Sequence, residues 1–527
     1  MRTKYIFVTG GVASGLGKGI TAASLGRLLK SRGYKVTCQK FDPYINLDPG
    51  RMNPTQHGEI FVTDDGAQCD LDIGHYERFI DESLGMDSNI TSGKIYWAVL
   101  QKERNGEYEG KTVQFVPHIT DHIKDRVKEA ASRQDVDVVI TEIGGTIGDF
   151  ESLPFVEAFR QMTYDVGREN VLYIHVTLLP YLAKGGETKT KPTQHSVKQL
   201  LSLGIQPDII VCRTERCMDD SLKEKIALFC NVAKECVVQN IDCDYLYEVP
   251  LLLEDENLAE VTLKRLGMEN RTPDLDEWRN MVDLQANPAR EITVSLVGKY
   301  SLHDAYLSCA EALCAAGIAN NCKVNINWVS AEDVESLGAK ALLGGSHGIL
   351  IPGGFGERGF EGKVLTAQYA RENAIPCLGI GMGLHAMAVE FARNVLKMAD
   401  ANSQEANEQH PEAITTPIVI NAHKENLRLG ATQIKINENS QAHAIYNATQ
   451  ISERHRNRYE LNPEYLEDMQ SAGLTVSAKS ANHPEILELA AHPYYIACAY
   501  HPEFKSRPNK PHPIFQNFVS TAIKQNA

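Results

Sequence analysis

The sequence predicts an α/β protein built from two parallel-sheet domains. Three observations predict it. A strand–glycine loop–helix–strand unit opens the chain, a polar stretch with two prolines interrupts it at 268–290, and a second series of short apolar strands alternating with helices begins at Ile292. At 527 residues the chain is also too long for one ordinary domain.

Residues 4–9 (KYIFVT) read as a buried strand, followed by the glycine-rich segment 10–19. A helix is expected from about Thr21 to Ser31, because Ala22, Leu25, Leu28 and Leu29 recur at spacings of three and four. Gly33 stops it, and 35–39 (KVTCQ) is the next strand. Two strands joined by a helix must run parallel, with helices on the sheet faces. Further strands are expected at 137–142 (DVVITE), 171–177 (VLYIHVT) and 208–212 (DIIVC). The 268–290 stretch reads as a linker carrying a short helix. Beyond it, strands at 292–297, 324–329, 348–351 and 377–380 alternate with helices. The expected domains are therefore 1–268 and 291–527, joined by 269–290. One polar stretch, 399–413, is expected to be a mobile loop.

Composition excludes several classes. Hydrophobic residues at 43% and charged residues at 23% suit a soluble globular protein. A net charge of -15 argues against a general role on nucleic acid or a membrane surface. No stretch approaches the roughly 20 apolar residues of a membrane span. The opening residues have too short an apolar run for a signal peptide. The twelve cysteines are scattered, with no CxxC pair, which fits reduced thiols and no zinc ribbon. A cytoplasmic protein is expected.

The segment 10–19 (GGVASGLGKG) lies between a strand and a helix, where backbone N–H groups and the helix N-terminus favour an anion and Lys18 adds a mobile charge. The alternative is a structural turn. The segment departs from the usual P-loop: Val12 stands where the first glycine belongs, and Gly19 replaces the metal-binding Ser or Thr. Carboxylates must then hold Mg²⁺, and Asp72 and Glu142 are the candidates, Glu142 closing the strand at 137–142. A capping or solvated role is the alternative for Glu142. The segment 185–196 (GGETKTKPTQHS) clusters lysines, hydroxyls and an amide before a helix, which suits a second polyphosphate or, equally, a solvated loop.

Long strings then resemble the CTP synthases: 10–19, 40–46 (KFDPYIN), 56–59 (QHGE), 70–79, 142–155 (EIGGTIGDFESLPF) and 189–196 (KTKPTQHS). The resemblance spans essentially the whole chain. It implies a P-loop-like synthase (amidoligase) domain followed by a class I glutamine amidotransferase domain. ATP would lie on Gly15, Leu16, Gly17, Lys18, Gly19 and Ile20, close to Asp72, with Lys18 and Lys40 as catalytic lysines. Asp72 and Glu142 would bind Mg²⁺. Ser14, Lys189, Thr190, Lys191, Gln194 and Lys225 would meet UTP. Asp149, Phe150 and Glu151 would help bind CTP as feedback inhibitor. The family is also homotetrameric, and GTP is its allosteric effector, acting on the 356–363 loop.

The second half resembles the triad amidotransferases. The segment 352–359 (PGGFGERG), with Gly354, matches their oxyanion-side loop, and 500–504 (YHPEF) supplies the pair His501 and Glu503. The nucleophile elbow of that family reads GICLGMQ; here it is 379–385 (GIGMGLH). Gly381 therefore occupies the nucleophile's position, Met382 follows it, and Leu384 and His385 also depart from the pattern. Glu405 and Arg458 match glutamine contacts. Cys377 and Cys498 lie in apolar strands and read as core. The expected protein is a CTP synthase that aminates UTP with ATP and free ammonia, its glutaminase activity lost. The alternatives are glutamine use through an unseen nucleophile or a separate glutaminase, and a silent regulatory or filament subunit.

Overall fold

The computed structural model describes residues 3–13, 15–300, 303–407, 413–417, 427–481 and 483–526. Its contacts divide the chain into two units, Met1–Arg51 with Asp72–Val282, and Met52–Leu71 with Asp283–Ala527. That differs from the division expected from sequence in two places. Residues 52–71 join the second unit, where Glu59 accepts the Ser308 N–H at 2.8 Å and Asp64 accepts Arg454 Nε at 2.7 Å. Most of the 269–290 stretch belongs to the first.

In the first unit, β1 (Lys4–Gly10), α1 (Lys18–Lys30), β2 (Val36–Asp42), α2 (Leu71–Ile80), β3 (Asn89–Thr91), β4 (Val138–Ile143), β5 (Val171–Leu179), α3 (Lys191–Ser202), β6 (Ile209–Thr214) and β7 (Val237–Ile241) follow in order. The sheet order is β7-β6-β5-β1-β4-β2-β3, and every pairing is parallel. The strands read as unbroken apolar runs because both sheet faces are covered. Their carboxyl ends gather the loops after β1, β2 and β4, where open α/β sheets bind ligands.

The helix inside the expected linker, α4 (Asp276–Ala286), is an anchored element. Its Trp278 is fully buried, donates its indole N–H to the Tyr247 carbonyl at 2.8 Å, and packs on Phe79 and Tyr247. The Arg27 guanidinium covers the ring at 4.7 Å.

The second unit contains β8 (Glu291–Gly298), β9 (Lys323–Ser330), β10 (Gly348–Ile351), β11 (Cys377–Ile380), α5 (Met382–Asn394), β12 (Arg428–Ile436), β13 (Gln450–Asn457), β14 (Leu474–Ser480), β15 (His483–Leu489) and β16 (Tyr495–Cys498). Its sheet runs β9-β8-β10-β11-β16-β15-β14-β12-β13, parallel through β16 and antiparallel beyond. Of the 399–413 stretch, 408–412 lie outside the described residues, and the part before them buries Ser403 and Glu405. Among the described residues no helix is long and apolar enough to cross a membrane.

Truncating Trp278 removes a fully buried indole and its hydrogen bond. Trp278→Ala is expected to destabilise the first unit by about 3–5 kcal/mol, read as a lower urea midpoint; an unchanged midpoint would show that α4 is a linker after all.

Candidate active site

The first site forms where β1, β2 and β4 end. Register places Lys40 of β2 directly beside Glu142 of β4. The Lys40 ammonium donates to Glu142 Oε1 at 2.9 Å and also to Asp72, which enters from the first turn of α2. Tyr76, fully buried one turn on, donates its hydroxyl to the other Glu142 oxygen. Burial alone would raise Asp72, but Lys40 and His75 outweigh it and hold its carboxyl below the usual range. Lys18, the first residue of α1, reaches back to the Gly145 carbonyl at 2.8 Å. Burial lowers its pKa, partly offset by Glu142.

Gly19 has a steric reason. A Cβ there would stand 2.6 Å from Asp72 Oδ1 and 3.2 Å from Glu142 Oε2. A Ser or Thr in this position would therefore have to displace the Asp72 carboxylate. Two hard oxygen donors around one cation are chemistry that suits a divalent ion. Among the described residues no third His, Cys, Asp or Glu gathers with them, so other ligands would come from phosphate and water.

The loop itself is strained. Val12 adopts φ 85°, a left-handed conformation rare for β-branched residues, where a P-loop has glycine. Gly15 and Gly17 have φ 71° and 79°, and Leu16 is buried beneath the loop while Ile20 is half-buried. Arg213, at the end of β6, donates to the Gly15 carbonyl at 3.4 Å and to Asp242 at 3.0 Å.

The expected UTP residues are unevenly gathered. Thr190 and Gln194 are buried and bonded to each other at 3.0 Å. Lys189 pairs with Glu187, which also feels the charge of Lys225. Lys191 is exposed, with its ammonium 5.9 Å from the Phe229 ring. Asp149 accepts the Thr146 N–H at 2.8 Å, and Phe150 and Glu151 are exposed beside it. Ser14 lies outside the described residues.

The second site surrounds a cavity of about 80 Å³ lined by Gly381, His501, Glu405, Arg458 and Gly354 among others. Glu503 accepts the His501 Nδ1 bond at 2.7 Å, and the imidazole stacks on Phe504. Gly381 sits at the turn from β11 into α5 with φ 55° and ψ -109°. A Cβ built on it would lie 3.3 Å from His501 Nε2. Met382 opens the helix and is buried. Glu405 takes the Gly356 N–H at 3.1 Å and pairs with Arg458, whose guanidinium covers the Phe355 ring at 4.7 Å. Burial pushes Glu405 up against the pull of Arg458.

Several site residues stand in segments singled out in the sequence but receive their roles only from the fold. Lys363 is fully buried and donates to the Pro352 and Gly353 carbonyls at 2.6 and 3.1 Å; burial, then Lys299, pulls it down to about 7. Lys299 holds the Phe355 carbonyl. Asp42, beside Lys40, is pushed up to about 6 by burial. The one available signal for Lys363 was its place on a helix just after the glycine-rich loop.

Comparison with known proteins matches residues 4–268 to the family described as CTP synthase N-terminus and 301–521 to glutamine amidotransferase class-I. The CTP synthase of Ruminiclostridium cellulolyticum is 57% identical over 530 residues, covering 99% of each chain. That of Carboxydothermus hydrogenoformans is 55% identical over 531 residues, again covering 99% of each. A solved structure, the glutaminase domain of Trypanosoma brucei CTPS with bound acivicin, is 35% identical, covers 44% of this chain and 94% of its own, and has a TM-score of 0.42.

Val12 stores backbone strain at its left-handed φ of 85°. Its strain of about 1–3 kcal/mol exceeds the roughly 0.5–1 kcal/mol that a glycine forfeits in entropy. Val12→Gly should therefore raise the melting temperature by about 2 °C; a lower melting temperature would mean that contacts of the valine side chain outweigh the strain.

Proposed function

The chain belongs to the CTP synthase family, and on that premise we propose that it converts UTP to CTP with ATP, taking its nitrogen from free ammonia instead of glutamine. The observation that carries the second clause is Gly381. It occupies the elbow between β11 and α5, faces the imidazole of His501, and has no side chain to offer it.

The chemistry of the first unit needs no protein nucleophile. The O4 of UTP is a poor leaving group. Transfer of the ATP γ-phosphoryl group to O4 turns it into phosphate ester oxygen; ammonia attacks C4, and inorganic phosphate departs with ADP as the other product. Phosphoryl transfer demands alignment and charge neutralisation. The loop N–H groups around Gly15, Leu16 and Gly17 align the triphosphate, and Lys18 and Lys40 supply positive charge. Mg²⁺ held by Asp72 and Glu142 would neutralise further phosphate charge. Thr190, Gln194, Lys189, Lys191 and Lys225 fit the triphosphate and base of UTP, and Asp149, Phe150 and Glu151 fit the feedback site for CTP. Exposed Ile45, Phe115 and Phe150 around one apolar cavity support the self-association that the family implies.

In a glutaminase triad, the acid orients the imidazole, which takes the proton of a thiol that then attacks the amide. Glu503 and His501 keep the first two parts. Other thiols make poor substitutes. Cys377, Cys498 and Cys309 are all buried, and burial pushes each thiol well up, away from the reactive thiolate. Loss of a triad nucleophile typically lowers turnover on the order of 10⁶-fold.

Purified protein with UTP, ATP and Mg²⁺ is expected to form CTP from ammonium salts, at a rate that climbs with pH as the NH₃ fraction grows, and to form none from glutamine. Equal rates from both donors would refute the ammonia reading; no product from either would refute the synthase reading. Conversely, Gly381→Cys, alone or with His385→Gln, should release glutamate from glutamine, and the added change His501→Ala should abolish that release. A folded Gly381→Cys protein that hydrolyses nothing, with or without His385→Gln, would mean the elbow is not a vacated nucleophile position.

A further inference from the structure

We propose that Lys40 is the internal counter-ion of the Asp72–Glu142 pair and is exchanged for the divalent cation when that cation binds, so that metal and nucleotide binding are coupled through one side chain. The inference rests on the reading of Asp72 and Glu142 as metal ligands.

The geometry is specific to Lys40. Its ammonium touches an oxygen of each carboxylate at once. Lys18 is the other nearby cation, and its ammonium is held on the Gly145 carbonyl. The three partners are enclosed: the side chains of Glu142, Lys40 and Asp72 are 2%, 8% and 22% exposed. Tyr76 fixes the second Glu142 oxygen, so this carboxylate cannot turn away from its neighbour without losing a buried hydrogen bond. Two enclosed carboxylates need a cation between them, since an uncompensated buried charge is strongly destabilising. The ammonium meets that need.

A divalent ion drawing on the same two oxygens competes with the ammonium twice, for lone pairs and through like-charge repulsion at short range. The ammonium must yield. Its flexible four-carbon stem lets it do so; the buried Asp42 beside it already accepts from Asn89 at 2.8 Å, and an anionic phosphate on the adjoining loop carries more charge to receive it. Nucleotide therefore gives the displaced ammonium a partner, which tightens metal binding; by linkage, metal must tighten nucleotide binding by the same factor. Lys40 thus does more than contact phosphate. It suppresses metal binding until phosphate is present.

The sign of the test is unusual, because removing a residue of the nucleotide site should strengthen a ligand. Mn²⁺ alone is titrated into full-length nucleotide-free protein, with free Mn²⁺ read by electron paramagnetic resonance. Lys40→Met is expected to bind Mn²⁺ about tenfold or more tightly than the wild type, the scale on which groups adjoining a metal site change affinity. Added ATP should then improve Mn²⁺ binding less in the variant than in the wild type. Lys40→Met will lower stability by exposing the carboxylates to each other, so melting is followed in parallel, with Lys40→Gln as the milder variant; Mn²⁺ should raise the melting temperature of either variant more than that of the wild type. Equal or weaker Mn²⁺ binding by both variants, while Asp72→Asn and Glu142→Gln weaken it, overturns the exchange and leaves the metal reading intact. Indifference of Mn²⁺ binding to Asp72→Asn and Glu142→Gln overturns both.

Discussion

Two enclosed carboxylates standing side by side need a cation between them, and much of the first unit follows from that requirement. Lys40 and Glu142 face each other because β2 and β4 are adjacent and in register, not because a loop happens to bring them together. Asp72 joins from α2. With its carboxylate in that place, a side chain at position 19, in the first turn of α1, would have to push Asp72 aside, since its Cβ would stand 2.6 Å from Oδ1. Glycine at 19 and the carboxylate of Asp72 fit each other as they stand, so the departure of 10–19 from the usual phosphate loop goes with where the acid enters.

The same reasoning accounts for the lysines behind the glycine loop of the second unit. The carbonyls of Pro352, Gly353 and Phe355 are each taken by an ammonium from Lys363 or Lys299. A peptide whose carbonyl is pinned to one side presents the following N–H to the other, the disposition that stabilises developing negative charge on an oxygen. Lys363 is buried without exposure to water, and burial draws its pKa down to about 7. The loop is thus tied through three carbonyls to two lysine amines buried with it.

What the sequence made legible depended on locality. Strands β1, β2, β4 and β5 and helix α1 announce themselves by apolar runs and spacing, and the strings around Lys18, Glu142 and His501 announce the family. What stayed hidden depended on partners distant in the chain. Tyr76 reads as an ordinary aromatic on a helix until Glu142 is folded against it, 66 positions away. Trp278 reads as a linker tryptophan because its cage, Tyr247, Phe79 and Arg27, comes from three other places. Residues 52–71 carry no compositional mark of the unit they join; their attachment is a set of individual bonds, Glu59 to Ser308 and Asp64 to Arg454, that no periodicity encodes. The left-handed Val12 was visible as an oddity of motif, but its strain is a property of the backbone.

Gly381 raises a last question, which is why its neighbours persist. The answer lies in what each side chain leaves behind when lost. Removing Glu503 would strip a buried imidazole of its partner at 2.7 Å, and removing His501 would leave a buried carboxylate unpaired and take away the ring that stacks on Phe504. Both changes destabilise the fold, whatever the fate of catalysis. A thiol is different. It makes only weak hydrogen bonds, and at an elbow with φ 55° any side chain is strained while glycine is not. A glycine here forgoes only a weak thiol contact to His501 Nε2 and avoids the backbone strain. Of the three positions, the elbow is the one where the backbone itself favours a glycine, while His501 and Glu503 are held by each other and by Phe504 whatever stands at 381.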